Sequence, residues 1–196
     1  MKKLLLLSLL IYCTTVLAQT IDTTAHVPTI GTLKNTAGDG MQPTNNIVQN
    51  IASSNELSVF YNFIKSTNLT QTYESKGPIT VFVPDNVAFE NLPVGKLDSL
   101  SKPIRVWELT GIMTYHAVAG KLKAKDIEKQ INEHKGIATF TTLSGATLTA
   151  KIDSNRNIVL EDENGGQSII SRFDIEQSNG MMHIVNKVLI PKNKII

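Results

Sequence analysis

The sequence runs to 196 residues, with 19 Lys and Arg against 17 Asp and Glu. So even a balance lacks the basic excess that nucleic-acid binders carry, which removes most of the case for that class. One cysteine, Cys13, cannot make a disulfide framework or a cysteine metal site, so the fold must rest on burial, which a chain of this length can supply.

The chain opens with Met1-Lys2-Lys3, continues through the apolar run Leu4–Tyr12 and reaches Val16-Leu17-Ala18. A charged start, a greasy middle and small residues before a cut make residues 1–18 a secretory signal peptide, cleaved after Ala18. The apolar run is shorter than the ~20 residues of a permanent membrane span. Lipidation at Cys13 is the rival reading. Bulky Tyr12 stands where a lipoprotein site needs a small residue, which favours Ala18. Cleavage removes Lys2 and Lys3 and no acid, leaving 17 charges of each sign and no cysteine. The mature chain is expected to be secreted, periplasmic or cell-surface, without a transmembrane segment. Residues 19–44 scatter their apolar positions among Thr, Pro, Gly and Asn and read as a flexible linker.

The globular part is expected from Asn45 to Lys192, with a short tail at 193–196. Ile47, Val48 and Ile51 suggest a short helix. Ser53-Ser54-Asn55-Glu56 has the pattern of a capping box, and Leu57, Phe60, Tyr61 and Ile64 recur at helical spacing after it. Gly77-Pro78 breaks the chain before Ile79–Val83, a β-branched and aromatic run that reads as a buried strand ended by Pro84. A helix is predicted from Pro103 through Trp107, Ile112, Met113 and His116 to Gly120. Thr139–Leu143 and Ala146–Ile152 flank Ser144-Gly145 as a hairpin. Further strands are expected at Ile158–Glu161, Gln167–Ser171 and Met181–Ile190. Helices first and strands last make an α+β domain rather than a parallel βαβ fold.

Three segments carry a resemblance. Thr80-Val81-Phe82-Val83-Pro84-Asp85-Asn86-Val87-Ala88-Phe89-Glu90-Asn91-Leu92 follows T-V-F-A-P-T-N/D-x-A-F-x-x-L. Tyr115-His116-Ala117-Val118-Ala119-Gly120-Lys121-Leu122 follows Y-H-V-V-x-G-x-L. Asn179-Gly180-Met181-Met182-His183-Ile184-Val185-Asn186-Lys187-Val188-Leu189-Ile190-Pro191 follows N-G-x-I-H-x-I-D-x-V-L-x-P. In this order and at these separations the chain resembles the fasciclin domain family of secreted or surface adhesion modules. The resemblance implies a wedge of β-strands packed with several helices, the helices mostly N-terminal and the antiparallel strands mostly C-terminal. It departs from the family at Val83, Asp85 and Asn186. The last puts in doubt a hydrogen bond that the family's charged Asp makes.

The resemblance also supplies candidate partner-binding residues. Tyr115-His116 matches a dipeptide credited with adhesion in some members, and Asp174-Ile175 matches a loop pair credited likewise. Each has a structural alternative. His116 falls four residues after Ile112 on an apolar stripe, as a buried hydrogen-bonded histidine would. Asp174 suits a turn, with Ile175 in the core. Asp153-Ser154-Asn155-Arg156-Asn157 opens like a calcium loop, but Ile158 and Asn164 stand where the sharp-turn Gly and the bidentate Glu belong. A hairpin turn explains it better. His26, His116, His134 and His183 show no metal-ligand spacing. Glu161-Asp162-Glu163 before Asn164-Gly165-Gly166 reads as a solvated turn, and Asn68-Leu69-Thr70 as a eukaryotic glycosylation acceptor. No catalytic, metal or cofactor residues are assigned. The expected function is non-catalytic adhesion to a cell-surface or matrix protein or glycan, with no nucleic acid. The alternatives are a carrier of a small apolar ligand or lipid and an envelope-polymer hydrolase.

Overall fold

The computed structural model describes residues 40–75 and 77–192. The expected signal peptide with Cys13 and Ala18, His26, the linker up to Asp39 and the tail lie outside the described residues. Packing begins before Asn45: Met41 is only 6% exposed, and the Gln42 N–H donates to Asn50 Oδ1 at 2.8 Å.

Helix α1 (Ile47–Ala52) starts on Asn46. The Asn46 side chain accepts the Gln49 N–H, and the Gln49 side chain accepts the Asn46 N–H, each at 2.8 Å. The capping box forms there and not at Ser53–Glu56. Ser54 makes no cap bond because a 3-10 turn at Asn55–Leu57 runs straight into α2 (Ser58–Ser66), and Glu56 pairs instead with Arg172. Phe60, Phe63 and Ile64 turn the inner face of α2 into the core. Short helices α3 (Thr70–Tyr73), α4 (Asn86–Glu90) and α5 (Lys96–Leu100) precede and follow strand β1 (Ile79–Pro84) along the chain, and β1 is buried over its whole length.

The helix predicted over 103–120 is shorter. A 3-10 turn at Pro103–Arg105 leads into α6 (Val106–Tyr115), His116 terminates it, and Ala117–Ala119 form strand β2. Pairing explains the switch: the Phe82 N–H takes the His116 carbonyl at 2.8 Å, and β2 then ladders antiparallel on β1. Helix α7 (Ala124–Glu133) buries Ala124, Ile127 and Ile131 on one stripe. The strand-rich half follows as β3 (Ile137–Thr141), β4 (Thr147–Ile152), β5 (Ile158–Glu161), β6 (Gln167–Gln177) and β7 (Gly180–Val185).

Among the described residues the strands form one seven-stranded sheet in the order β2-β1-β7-β6-β5-β4-β3. Every neighbouring pair is antiparallel except β1 and β7. A bridge between Val118 and Thr142, with the Leu143 N–H on the Ala117 carbonyl at 2.8 Å, draws the outer strands together into a near-barrel. Alternation along β1 places Val81 and Val83 in a core cluster with α1 to α6, while Phe82 joins a second cluster with α7 and β3 to β5. The α+β wedge is as expected, with two strands of the helical half, β1 and β2, at one end of the sheet order.

Candidate functional site

The candidates assigned from the second motif lie inside the molecule. Tyr115 is fully buried and its hydroxyl donates to the Thr147 carbonyl at 2.6 Å. Burial pushes its pKa above the usual tyrosine range. His116 is also fully buried. Its Nδ1 lies 2.8 Å from the Ile112 carbonyl, and its Nε2 lies 3.1 Å from the Leu189 N–H. One ring nitrogen must donate and the other accept, which is the pattern of a neutral imidazole with hydrogen on Nδ1. Desolvation holds its pKa down to about 4, against the weaker opposing pull of the Ile112 carbonyl.

The third motif contributes a second buried imidazole. His183 Nε2 donates to the Leu122 carbonyl at 2.9 Å and Nδ1 accepts the Asp174 N–H at 3.3 Å. Its ring stacks on Phe82 at 5.6 Å, and burial lowers its pKa. Asp174 stands on a bulge in β6 with φ +59°, a conformation that Asp tolerates better than most residues. Its Oδ1 accepts the Ala124 N–H at 2.7 Å, so the half-buried carboxylate caps the start of α7. Ile175 points the other way into the helical core cluster. The partner-binding candidates Tyr115, His116, Asp174 and Ile175 do not lie together on one exposed face. Three of the four are buried, Tyr115 and Ile175 in different core clusters, and Asp174 is bound to a helix terminus. The exposed side chains beside Asp174 are Lys121, Lys123 and Glu176, which form one ion-paired group.

The remaining motif residues are cross-links. Thr80 Oγ1 donates to the Gly120 carbonyl at 2.7 Å and accepts the Leu122 N–H at 2.8 Å, tying the first motif to the second. Asp85 caps α4 through the Ala88 N–H at 2.7 Å. Asn86 accepts the Val59 N–H at 3.1 Å and donates to the Asn55 carbonyl at 2.9 Å. Asn179 accepts the Ile47 N–H at 3.0 Å and donates to the carbonyls of Tyr73 at 2.8 Å and Ser75 at 3.1 Å. A Cβ on Gly180 would lie 2.0 Å from the Ile79 carbonyl oxygen, so only glycine fits there. Asn186, which lacks the family's charge, still accepts the Ile169 N–H at 2.8 Å. The amide oxygen suffices for that bond.

The acidic turn is not merely solvated. Asp162 is buried, and its carboxylate accepts the N–H groups of Asn164, Gly166 and Ile190 at 2.9, 2.8 and 3.0 Å. It clamps the C-terminal segment onto the β5–β6 turn. Asp153 closes the β4–β5 turn by accepting the Asn155 and Asn157 N–H groups at 2.9 and 2.8 Å, the hairpin role expected of it. Asn68 is exposed at φ +57°. Among the described residues no group of three or more His, Cys, Asp or Glu is arranged to hold a metal ion, and no helix is long and apolar enough to cross a membrane.

Sequence reasoning missed what lies on the outside of the helical half. Trp107 and Ile104, on the stretch predicted as a helix from Pro103, are each 85% exposed. Beside them a cleft of about 250 Å³ is lined by Ser66, Leu100, Ser101, Lys102, Pro103, Val106 and Leu109. That is below the ~300–1,000 Å³ of ligand pockets, which weakens the carrier alternative at this cleft. The signal was present: Ile104 and Trp107 sit among Lys102, Arg105 and Glu108, a setting more polar than a core face.

The comparisons agree with this architecture. A solved domain pair from the insect cell adhesion molecule fasciclin I matches with a TM-score of 0.65 at 16% identity, covering 74% of this chain and 51% of that one. This chain thus spans about half of that structure, and the likeness is one of fold. Protein sll1483 of Synechocystis is 30% identical over 145 residues, 74% of this chain and 73% of that protein. Human periostin is 28% identical over 141 residues, which is 72% of this chain but 15% of periostin. The profile of the Fasciclin domain matches residues 55–191. The chain belongs to the fasciclin domain family.

Proposed function

We propose that this chain is an exported binding module that attaches to a cell-surface or matrix protein or glycan by surface contact, without covalent chemistry. One observation supports this reading above the others. The side chains with the best chemical credentials, His116, His183, Asp174 and Tyr115, are all bonded to main-chain groups of the fold. A histidine held neutral between two backbone partners has no nitrogen left for a substrate. In this reading Tyr115, His116 and Ile175 support the contact surface from within, and Asp174 supports it from its edge. The shared fold with a cell adhesion molecule favours the same kind of role. The leader at 1–18 supports export, with the mature chain beginning at Gln19.

Retention of domain-coated beads on envelope or matrix preparations of the source organism tests the proposal. Retention above that of beads coated with an unrelated neutral protein is expected. Equal retention contradicts it, and turnover of an envelope polysaccharide or ester above blank contradicts its non-catalytic half.

A further inference from the structure

Trp107 is the chain's one tryptophan, and tryptophan is highly buried on average, so its 85% exposure calls for an explanation. Ile104 is equally exposed. The two stand three residues apart on the continuous backbone that passes from the Pro103–Arg105 turn into α6, a spacing that places side chains on one side. Between and beside them sit two cations. Lys102 is exposed and has no ion-pair partner among the described residues. Arg105 is 55% exposed and shares Glu108 with Lys96, the carboxylate lying 3.4 Å from one and 2.6 Å from the other. From Lys96 to Glu108 there are three cations, Lys96, Lys102 and Arg105, and two acids, Asp98 and Glu108. From Lys102 to Trp107 there are two cations and no acid. The cleft behind this turn has Leu100 and Leu109 in its lining and Lys102 beside them.

An exposed aromatic and an aliphatic flanked by cations within one short turn match a surface that is apolar and anionic at once. We propose that this face docks on an anionic lipid surface. Ile104 and Trp107 enter the boundary between headgroups and acyl chains, and Lys102 and Arg105 meet the phosphates. A protein partner would be gripped by the same apolar pair. The two cations beside that pair favour lipid. The inference is separate from attachment to a macromolecular partner, since vesicle binding and bead retention fail independently.

The single tryptophan makes the test direct, because its emission reports this face alone. The exported protein is titrated with vesicles of phosphatidylglycerol and phosphatidylcholine, and with vesicles of phosphatidylcholine only. A blue shift and co-sedimentation with the anionic vesicles alone are expected. The Lys102→Glu, Arg105→Glu double variant should bind on the order of tenfold more weakly. Ile104→Ser should weaken binding as well, and both variants should melt like the wild type. Absence of a shift, equal binding to phosphatidylcholine, or full binding by the charge-reversed variant overturns the proposal. A blue shift that grows with protein concentration without vesicles, alongside a dimer in sedimentation, also overturns it and assigns the face to a second copy of the chain.

Discussion

Both ring nitrogens of His116 end on main-chain groups inside the fold, and this gives the protein a built-in sensitivity to acid. Its pKa is about 4 in the folded chain against 6.5 for an unburied histidine. The folded value is depressed, so the unfolded state takes up the proton first. Stability is therefore complete above about pH 6.5 and falls as pH drops towards 4. A shift of this size corresponds to a loss of about 3 kcal/mol by pH 4, and His183, also depressed by burial, acts in the same direction. Urea unfolding at a series of pH values should show the decline. His116→Gln, which keeps a donor and an acceptor without a titrating ring, should flatten it, and an identical slope in the two proteins would count against the assignment. The buried state of His116 was legible from its apolar stripe. Its partner on Leu189 was not, because that bond joins residues 73 apart in the chain.

At the scale of the element, Asp174 shows how a bulge serves a neighbouring helix. It holds positive φ and receives the first N–H of α7. Alanine would lose the bond and sit poorly in the left-handed region, so Asp174→Ala should cost about 2 kcal/mol. Asp174→Asn keeps an acceptor oxygen and tolerates the backbone, so its cost should stay under about 1 kcal/mol. Thermal melts separate the two, and equal losses would refute the capping role. Hairpin β3–β4 was readable because Ser144-Gly145 is a local signal, and β1 because its apolar run is continuous. Helices α3, α4 and α5 span only four or five residues, too few for a helical period to emerge. Strand β2 was absorbed into a predicted helix, since Ala117, Val118 and Ala119 suit either state and pairing with β1 decides between them.

For the whole molecule, the three family motifs are where the helical and strand-rich halves are stitched together. Asn179 alone reaches α1, α3 and the residues after it. Asn179→Ala should therefore lower the unfolding free energy by about 2–3 kcal/mol through groups left unmatched. Gly180→Ala should cost about 3 kcal/mol or more, because its new Cβ would force β7 away from β1. Chemical denaturation measures both, and a near-neutral result for either would show that the halves are joined elsewhere. This arrangement explains why the family and fold were legible in the sequence while the contact surface was not. The motifs encode the scaffold's close approaches and long-range bonds, which allow few substitutes. An exposed face such as that of Ile104 and Trp107 is marked in the sequence only by the charged residues around it.

The central claim is that the motif residues build the scaffold and binding belongs to the surface. Retention of folded His116→Ala on the envelope or matrix preparation, read beside its urea unfolding curve, tests it most directly. The predicted result is a loss of about 1–3 kcal/mol in stability with retention per folded molecule unchanged. Unchanged stability with retention abolished would contradict the account.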